Sequence, residues 1–354
     1  MQKIAVLGAG LIGRSLALLL QHKFAVSLYE KNTLNDSNTT GLLAAAMVAP
    51  TAESIISSDA IVRMGNVTTE LWPLLLTKLG LDDLYQHKGS LILAHRQDMS
   101  DLAHFQQRLS EQNKDKIKAL SRFDITRLEP ELSHQFAAGL FIESEGQVDN
   151  KRYYKETAEQ IRNSSIKLHE HSEISLTTLS KDYSHVIDCR GLGSKDELHS
   201  DTAKLRGVRG EVVRVRAPEV SLTRPVRVMH PRHPIYIAPK PNNEYVIGAT
   251  EIESEDDKAP TVRSALELLS AAYSTHKGFA EAEVISIQAG LRPTLQDNEP
   301  KILIKGKHIQ INGLYRHGYL LAPYILQQVL LILAPELSFG HQQQLDEQLV
   351  EQHI

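Results

Sequence analysis

The sequence predicts an α/β fold in which a Rossmann-type dinucleotide-binding domain is interleaved with an α+β domain built on an antiparallel sheet. Three observations carry that prediction. A glycine fingerprint near the N-terminus stands between an apolar strand-like run and a helical pattern. From Val208 to Thr250 the mixed pattern gives way to closely spaced β-prone runs. Glycine-bearing segments and an apolar helix then close the chain, in the character of its start.

In order along the chain, Lys3 to Leu7 is a short apolar run ending at glycines, Leu11 to His22 has helical spacing, and Phe24 to Tyr29 is β-prone again. Helical periodicity returns over Asp59 to Leu79, Met99 to Gln112 and Lys151 to Arg162, the last after the turn-like Gln147-Val148-Asp149-Asn150. The β-rich stretch comprises Val208 to Val215, Val226 to Met229, Pro234 to Ala238 and Tyr245 to Ala249. Breaks at Pro225, His230-Pro231 and Asn242-Asn243 separate these runs as an antiparallel meander requires. A helix over Val262 to Ser274, further strands and a closing helix from about Leu320 complete the reading. The expected division assigns 1–85, 140–205 and 286–354 to dinucleotide binding, and 86–139 and 206–285 to the substrate domain.

Composition narrows the function. The chain has 354 residues, room for roughly two domains. Its 39 Lys and Arg against 43 Asp and Glu give a net charge of −4, without the basic footprint of a nucleic-acid binder. Cys189, the one cysteine, forms no internal disulfide or iron–sulfur site and reads as packing in a reducing compartment, so a cytoplasmic location is expected. The opening MQKIAVLGAGLIG is too glycine-rich for a signal peptide, and the stretch from Tyr319 to Leu333 is too short and interrupted to span a membrane. No metal is expected, because His169-Glu170-His171 and His230-Pro231-Arg232-His233 lack a companion motif. No GxSxG elbow or P-loop supports acyl-enzyme or phosphotransfer chemistry. Arg206, Arg209, Arg214 and Arg216, with Glu211 among them, read as a solvated strand face.

Gly8-Ala9-Gly10-Leu11-Ile12-Gly13 carries the clearest chemistry. Gly8 permits a tight turn, Gly10 lets the backbone approach a pyrophosphate, and Gly13 lets helix and strand pack closely. The helix opening at Leu11 and Ile12 offers N–H groups and a partial positive charge to phosphates. Glu30, followed by Lys31, closes the second strand at the distance where a carboxylate accepts from a ribose hydroxyl. The fingerprint alone does not choose between NAD and FAD.

Further segments make that choice through likeness. The fingerprint, Thr39-Thr40 through Ala44-Ala45-Ala46-Met47-Val48-Ala49-Pro50, Tyr236-Ile237-Ala238-Pro239-Lys240 with Val246-Ile247-Gly248-Ala249-Thr250, and Ala289-Gly290-Leu291-Arg292-Pro293 with Gly313 to Pro323 form four blocks. In order and spacing the chain to about residue 325 resembles the D-amino acid oxidase superfamily, and within it the flavin-dependent glycine oxidases of thiamine biosynthesis. The resemblance implies a D-amino acid oxidase-like fold with FAD bound non-covalently and extended. It implies that Thr39, Thr40, Ala45, Ala46, Met47, Ile174, Gly191 and the run Leu314, Tyr315, Arg316, His317, Gly318, Tyr319, Leu320 lie along the cofactor. It further implies that Arg292 holds the substrate carboxylate, with Tyr236 and Arg316 beside it.

The activity so implied is oxidative deamination of glycine, with sarcosine or small D-amino acids as further substrates, through the imine to glyoxylate and ammonia, O2 becoming H2O2. The imine would serve the thiazole of thiamine, and the enzyme would be a homo-oligomer. The rival readings are a dehydrogenase acting on proline, sarcosine or a D-amino acid with a quinone or partner subunit as acceptor, and a non-catalytic flavin-binding module.

The residues support a clamp independently, since a planar guanidinium grips a carboxylate through two parallel hydrogen bonds. Read alone, Arg292 would equally suit a structural ion pair, Tyr236 a core position and Arg316 a solvated loop. Glu251 departs from the family, in which an apolar methionine can stand after Gly-Ala-Thr. A buried carboxylate needs a partner, so Glu251 should face Arg292 or Arg316, bind a substrate amine, or point to solvent. Bordering the pocket, it is expected to bias selection toward small amino acids.

Overall fold

Residues Lys3–Leu7 form the central strand of a seven-stranded sheet, pairing in parallel with Ala25–Tyr29 on one side and His185–Asp188 on the other. The structure is a computed structural model that describes all residues except 37, 133, 180, 199–203, 230–234, 342, 343 and 354. The His230-Pro231 break, the histidine cluster beginning there and Pro234 lie outside the described residues. Lys167–His169 extends the sheet beyond Ala25–Tyr29, and His308–Asn312, Lys301–Lys305 and Val350–His353 extend it on the other side. The chain leaves Lys3–Leu7 for one flank and later returns on the other. That reversal makes a topological switch point, where ligands settle at the carboxyl ends of parallel strands.

A second, eight-stranded sheet runs in the order Glu283–Thr294, Arg206–Arg216, Glu244–Gly248, Ile235–Lys240, Val226–Val228, Ser90–Leu93, Ala138–Ile142, Ile117–Ser121. Its neighbours are antiparallel except Val226–Val228 with Ser90–Leu93. The expected meander is therefore three strands long. Arg206–Arg216 bypasses Val226–Val228 and pairs instead with Glu244–Gly248 and with Glu283–Thr294, because a strand of 11 residues finds a match in one of 12. Boundaries at 139/140 and 285/286 would cut Ala138–Ile142 and Glu283–Thr294, both strands of this sheet. We propose that the division follows the sheets, with those two strands in the substrate domain.

The predicted helices form as Leu11–Leu20, Asp59–Leu79, Met99–Asn113, Asn150–Arg162, Val262–Thr275 and Gly318–Leu333. In Asp59–Leu79 the Ser58 side chain accepts from Ile61 N–H, and Gly80, at φ 69°, closes the last turn. The closing helix is buried on all sides through most of its length. Its Pro323 cannot donate to the Tyr319 carbonyl, and the Trp72 indole N–H takes that place at 2.8 Å. Leu11–Leu20, Asp59–Leu79, Asn150–Arg162 and Gly318–Leu333 pack with the seven-stranded sheet in the larger core, around Ile4, Leu16, Trp72 and Leu326. A smaller core around Leu91, Phe136, Val213 and Leu268 supports the other sheet. No helix among the described residues is long and apolar enough to cross a membrane.

The arginine-rich strand differs from expectation. Arg209, Glu211 and Arg214 are buried. Arg209 and Glu211 share a strand face and form an ion pair, covered by the segment whose Asp256, Lys258 and Ala259 carbonyls accept from Arg209. Alternation put these charges on one face, and a loop distant in sequence removed that face from water.

Candidate functional site

A cleft of about 600 Å³ opens where the carboxyl ends of Lys3–Leu7 and Ala25–Tyr29 meet the eight-stranded sheet. Residues from both sheets line it. At its first end the turn after Lys3–Leu7 is fixed by a hydrogen bond from Gly8 N–H to Tyr29 O, 2.8 Å. Gly8 has φ 87°, and a Cβ there would come within 2.9 Å of Arg190 Cα. A Cβ on Gly13 would overlap the Gly8 carbonyl, so Gly13 faces the turn itself and, unlike the other fingerprint glycines, does not line the cleft. Gly10 is different: a Cβ there would meet no protein atom within 4 Å and would project into the cleft.

The helix starting at Leu11 has no side-chain cap and no acidic residue in its first turn. Its leading N–H groups suit an anion. Glu30 already accepts from Ala9 N–H at 2.7 Å and from Asn32 N–H at 3.0 Å, yet a carboxylate has about four lone-pair sites and retains capacity for a ribose hydroxyl. The exposed turn, the uncapped helix and the carboxylate fit an adenine dinucleotide. We predict that Gly10→Ala leaves apoprotein stability nearly unchanged and weakens FAD binding at least tenfold, read by thermal melting and by flavin titration.

Sequence reasoning missed Arg14, which is 1% exposed. Its guanidinium donates to the carbonyls of Ala9, Tyr154 and Leu34 and to the Thr157 hydroxyl, and so ties the fingerprint to the helix Asn150–Arg162. Farther along, Arg190 pairs with Asp188 and Glu197 and donates to Ile174 O at 2.9 Å, fixing the segment beside the cleft. Lys31, Thr39, Thr40, Ala45, Ala46, Met47, Gly191 and all of Leu314 to Leu320 line the same cleft.

The opposite end gathers charge. Arg292, Tyr236, Glu251 and Arg316 meet there, joined by Glu53, Arg227 and His317. Arg292 comes from the edge strand opposite Val208 and donates to Arg209 O at 3.3 Å and Thr250 O at 3.1 Å. Among the described residues it enters no ion pair. Gly210 makes room for it, since a Cβ there would collide with the guanidinium. Arg316 pairs with Glu251 at 2.8 Å and approaches Glu53 at 3.3 Å, while Arg227 pairs with Glu53. Glu251 thus takes one of its expected positions, facing Arg316.

Burial opposes ionisation of Glu53, but Arg227, Arg316 and His317 outweigh it and hold the carboxyl at about 2. Glu145, buried near Arg227 and bonded to Ser90, is pushed by burial up to about 7. Burial raises the Tyr236 phenol and lowers His317 to about 4, so the His317–Glu53 approach of 4.0 Å is no ion pair near neutrality. Arg227 carried a readable signal: it interrupts the apolar Val226 and Val228, and alternation turns it to the opposite face. Glu53 had none beyond its position after Pro50.

His317 also yields a pH prediction. Unfolded chains take up its proton near 6.5 and the folded chain near 4, so the contribution is complete above 6.5 and lost as pH falls through that interval. Melting between pH 7 and 4.5 should show this loss, and His317→Gln should flatten the decline.

Residues 3–326 match the family described as DAO, FAD dependent oxidoreductase. The chain is 35% identical over 331 residues to a Rhizobium etli protein named thiamine biosynthesis oxidoreductase ThiO, covering 92% of this chain and 95% of that one. It is 26% identical over 350 residues to glycine oxidase of Geobacillus kaustophilus, covering 90% and 89%. The crystal structure of glycine oxidase from Geobacillus kaustophilus superposes with a TM-score of 0.74 at 24% identity, covering 97% of this chain and 100% of that chain.

Proposed function

We propose that this chain, which belongs to the DAO family of FAD dependent oxidoreductases, oxidises glycine by removing two electrons across its Cα–N bond. FAD is the cofactor and, when bound, supplies the two-electron acceptor. The fingerprint backbone, Glu30, Ala45 to Met47 and Leu314 to Leu320 are the residues that would hold it. One observation carries the substrate reading: Arg292 is a guanidinium in the cleft with neutral carbonyls as its partners. A substrate carboxylate supplies the missing counter-charge.

Arg292 grips that carboxylate through its fork, the Tyr236 hydroxyl adds a donor, and Arg316 borders the amino acid from the loop. The ionisable groups here are poor bases: Glu53 and Glu251 are paired with Arg227 and Arg316, and the Tyr236 phenol keeps its proton. The amine therefore enters unprotonated, and the side chains position it without taking a proton. Glycine becomes its imine, water converts the imine to glyoxylate and ammonia, and O2 accepts the two electrons as hydrogen peroxide. Sarcosine and small D-amino acids share the recognised groups. The likeness to ThiO supports delivery of the imine to thiazole formation.

The test is the visible spectrum of the purified protein before and after anaerobic glycine, then after air. Bleaching that recovers in air with peroxide released supports the oxidase. Reduction that persists in air would indicate a dehydrogenase, and a flavin that no amino acid reduces would indicate a binding module.

A further inference from the structure

We infer that the Arg316–Glu251 ion pair makes the substrate end selective for monocarboxylates, by withdrawing a second guanidinium from anions. The inference rests on Arg292 being the carboxylate clamp. Three guanidiniums line this end, those of Arg227, Arg292 and Arg316. Two carboxylates answer them. Glu53 neutralises Arg227 and lies 3.3 Å from Arg316, and Glu251 holds Arg316 at 2.8 Å. With His317 neutral, these five cleft-lining groups carry one net positive charge, and among the described residues Arg292 is the guanidinium of the three that enters no ion pair. A single substrate carboxylate completes the balance.

A second carboxylate would have Arg316 as its natural partner, because Arg292 donates to the Thr250 carbonyl at 3.1 Å while the next residue, Glu251, holds Arg316 at 2.8 Å, which brings the two guanidiniums to one short segment. To reach Arg316, the newcomer must displace Glu251, whose own charge repels it. Glu251 resists displacement because the nearby Tyr315 hydroxyl also favours its charged form. Tyr315 sits at φ 49°, a backbone conformation that its surroundings must hold. Consecutive residues of one loop therefore act on the same carboxylate. This gives Glu251 a sharper role than a preference for small side chains: it is a charge filter.

The experiment uses the FAD-loaded enzyme and reads perturbation of the flavin absorption by non-oxidisable anions, glycolate against malonate. Wild type should bind glycolate at least tenfold more tightly than malonate. Glu251→Gln, at a half-exposed position that tolerates substitution, should raise malonate affinity relative to glycolate at least tenfold, because Arg316 becomes available. Glu251→Gln combined with Arg316→Met should return the ratio toward wild type, which a general loosening of the pocket would not do. Equal binding of the two anions by wild type, or an unchanged ratio in Glu251→Gln, would overturn the filter. Absence of binding by either anion would remove the Arg292 clamp and the filter with it. If the anion pattern holds but glycine fails to reduce the flavin, the filter stands and the glycine oxidase reading falls.

Discussion

Arg292→Ala is expected to lower kcat/KM for glycine by roughly 10²- to 10⁴-fold while the purified protein keeps its flavin. Two charge-assisted hydrogen bonds to the carboxylate, each contributing about 1.5–3 kcal/mol, set that range. The flavin should remain because Arg292 lies at the charged end of the cleft, whereas the fingerprint, Glu30 and the Leu11 helix start form the other end. Arg292→Lys should recover part of the loss, since a point charge attracts the carboxylate but cannot reproduce the planar fork. Rates of anaerobic flavin reduction across a glycine series, with flavin content per chain, measure both quantities. Wild-type efficiency in Arg292→Ala would remove Arg292 from the role, and loss of flavin would mean that the residue organises the fold of the cleft.

Glu53→Gln should be the most destabilising of the substitutions considered, by about 3–5 kcal/mol, because it strips a buried charge of its partner. Arg227 is 8% exposed and Glu53 is its carboxylate partner at hydrogen-bond distance. Glu145, also acting on Arg227, bonds Ser90 and Ala52 N–H and is pushed by burial up to about 7, so it compensates poorly near neutrality. Arg227→Met added to Glu53→Gln should recover much of the loss, since a neutral pair leaves no stranded charge.

The acid behaviour provides a second check. The Glu53 carboxyl is held at about 2, below its ordinary value near 4.5, so its stabilisation is complete above 4.5 and disappears as pH falls toward 2. Glu53→Gln should lack that acid-dependent component. Chemical denaturation at pH 7 and pH 3.5 distinguishes the outcomes, and an unchanged stability difference between wild type and variant at the two values would refute the assignment.

The nucleotide end was legible because its requirements are local. A tight turn, a close helix and a terminal carboxylate are met by residues within one strand–helix–strand unit, so Gly8, Gly10, Gly13 and Glu30 could be read directly from their spacing. The helices were equally readable: Asp59–Leu79 has the predicted bounds, and Gly318–Leu333 is the expected buried helix. Strand periodicity located the β-rich middle but not its partners. Arg206–Arg216 contributes to two antiparallel interfaces with distant strands, and Glu283–Thr294 carries the sheet beyond the expected boundary.

The charged end was legible in part. Likeness pointed to Arg292, Tyr236 and Arg316, and the cost of burying a carboxylate asked for a partner for Glu251, which the structure pairs with Arg316 but leaves half-exposed. Which guanidinium it would choose, and that Glu53 and Arg227 would join them, depended on segments far apart in sequence meeting in one cleft, the Arg316–Glu251 and Arg227–Glu53 pairs spanning 65 and 174 residues. Sequence by itself determined the fold class, the dinucleotide fingerprint and the helices, because backbone geometry and hydrophobic periodicity are short-range constraints. Tertiary structure decided the strand partners, the burial of Arg209, Glu211 and Arg214, and the pairing that leaves Arg292 with neutral carbonyls as its partners, because charge compensation depends on distance in space.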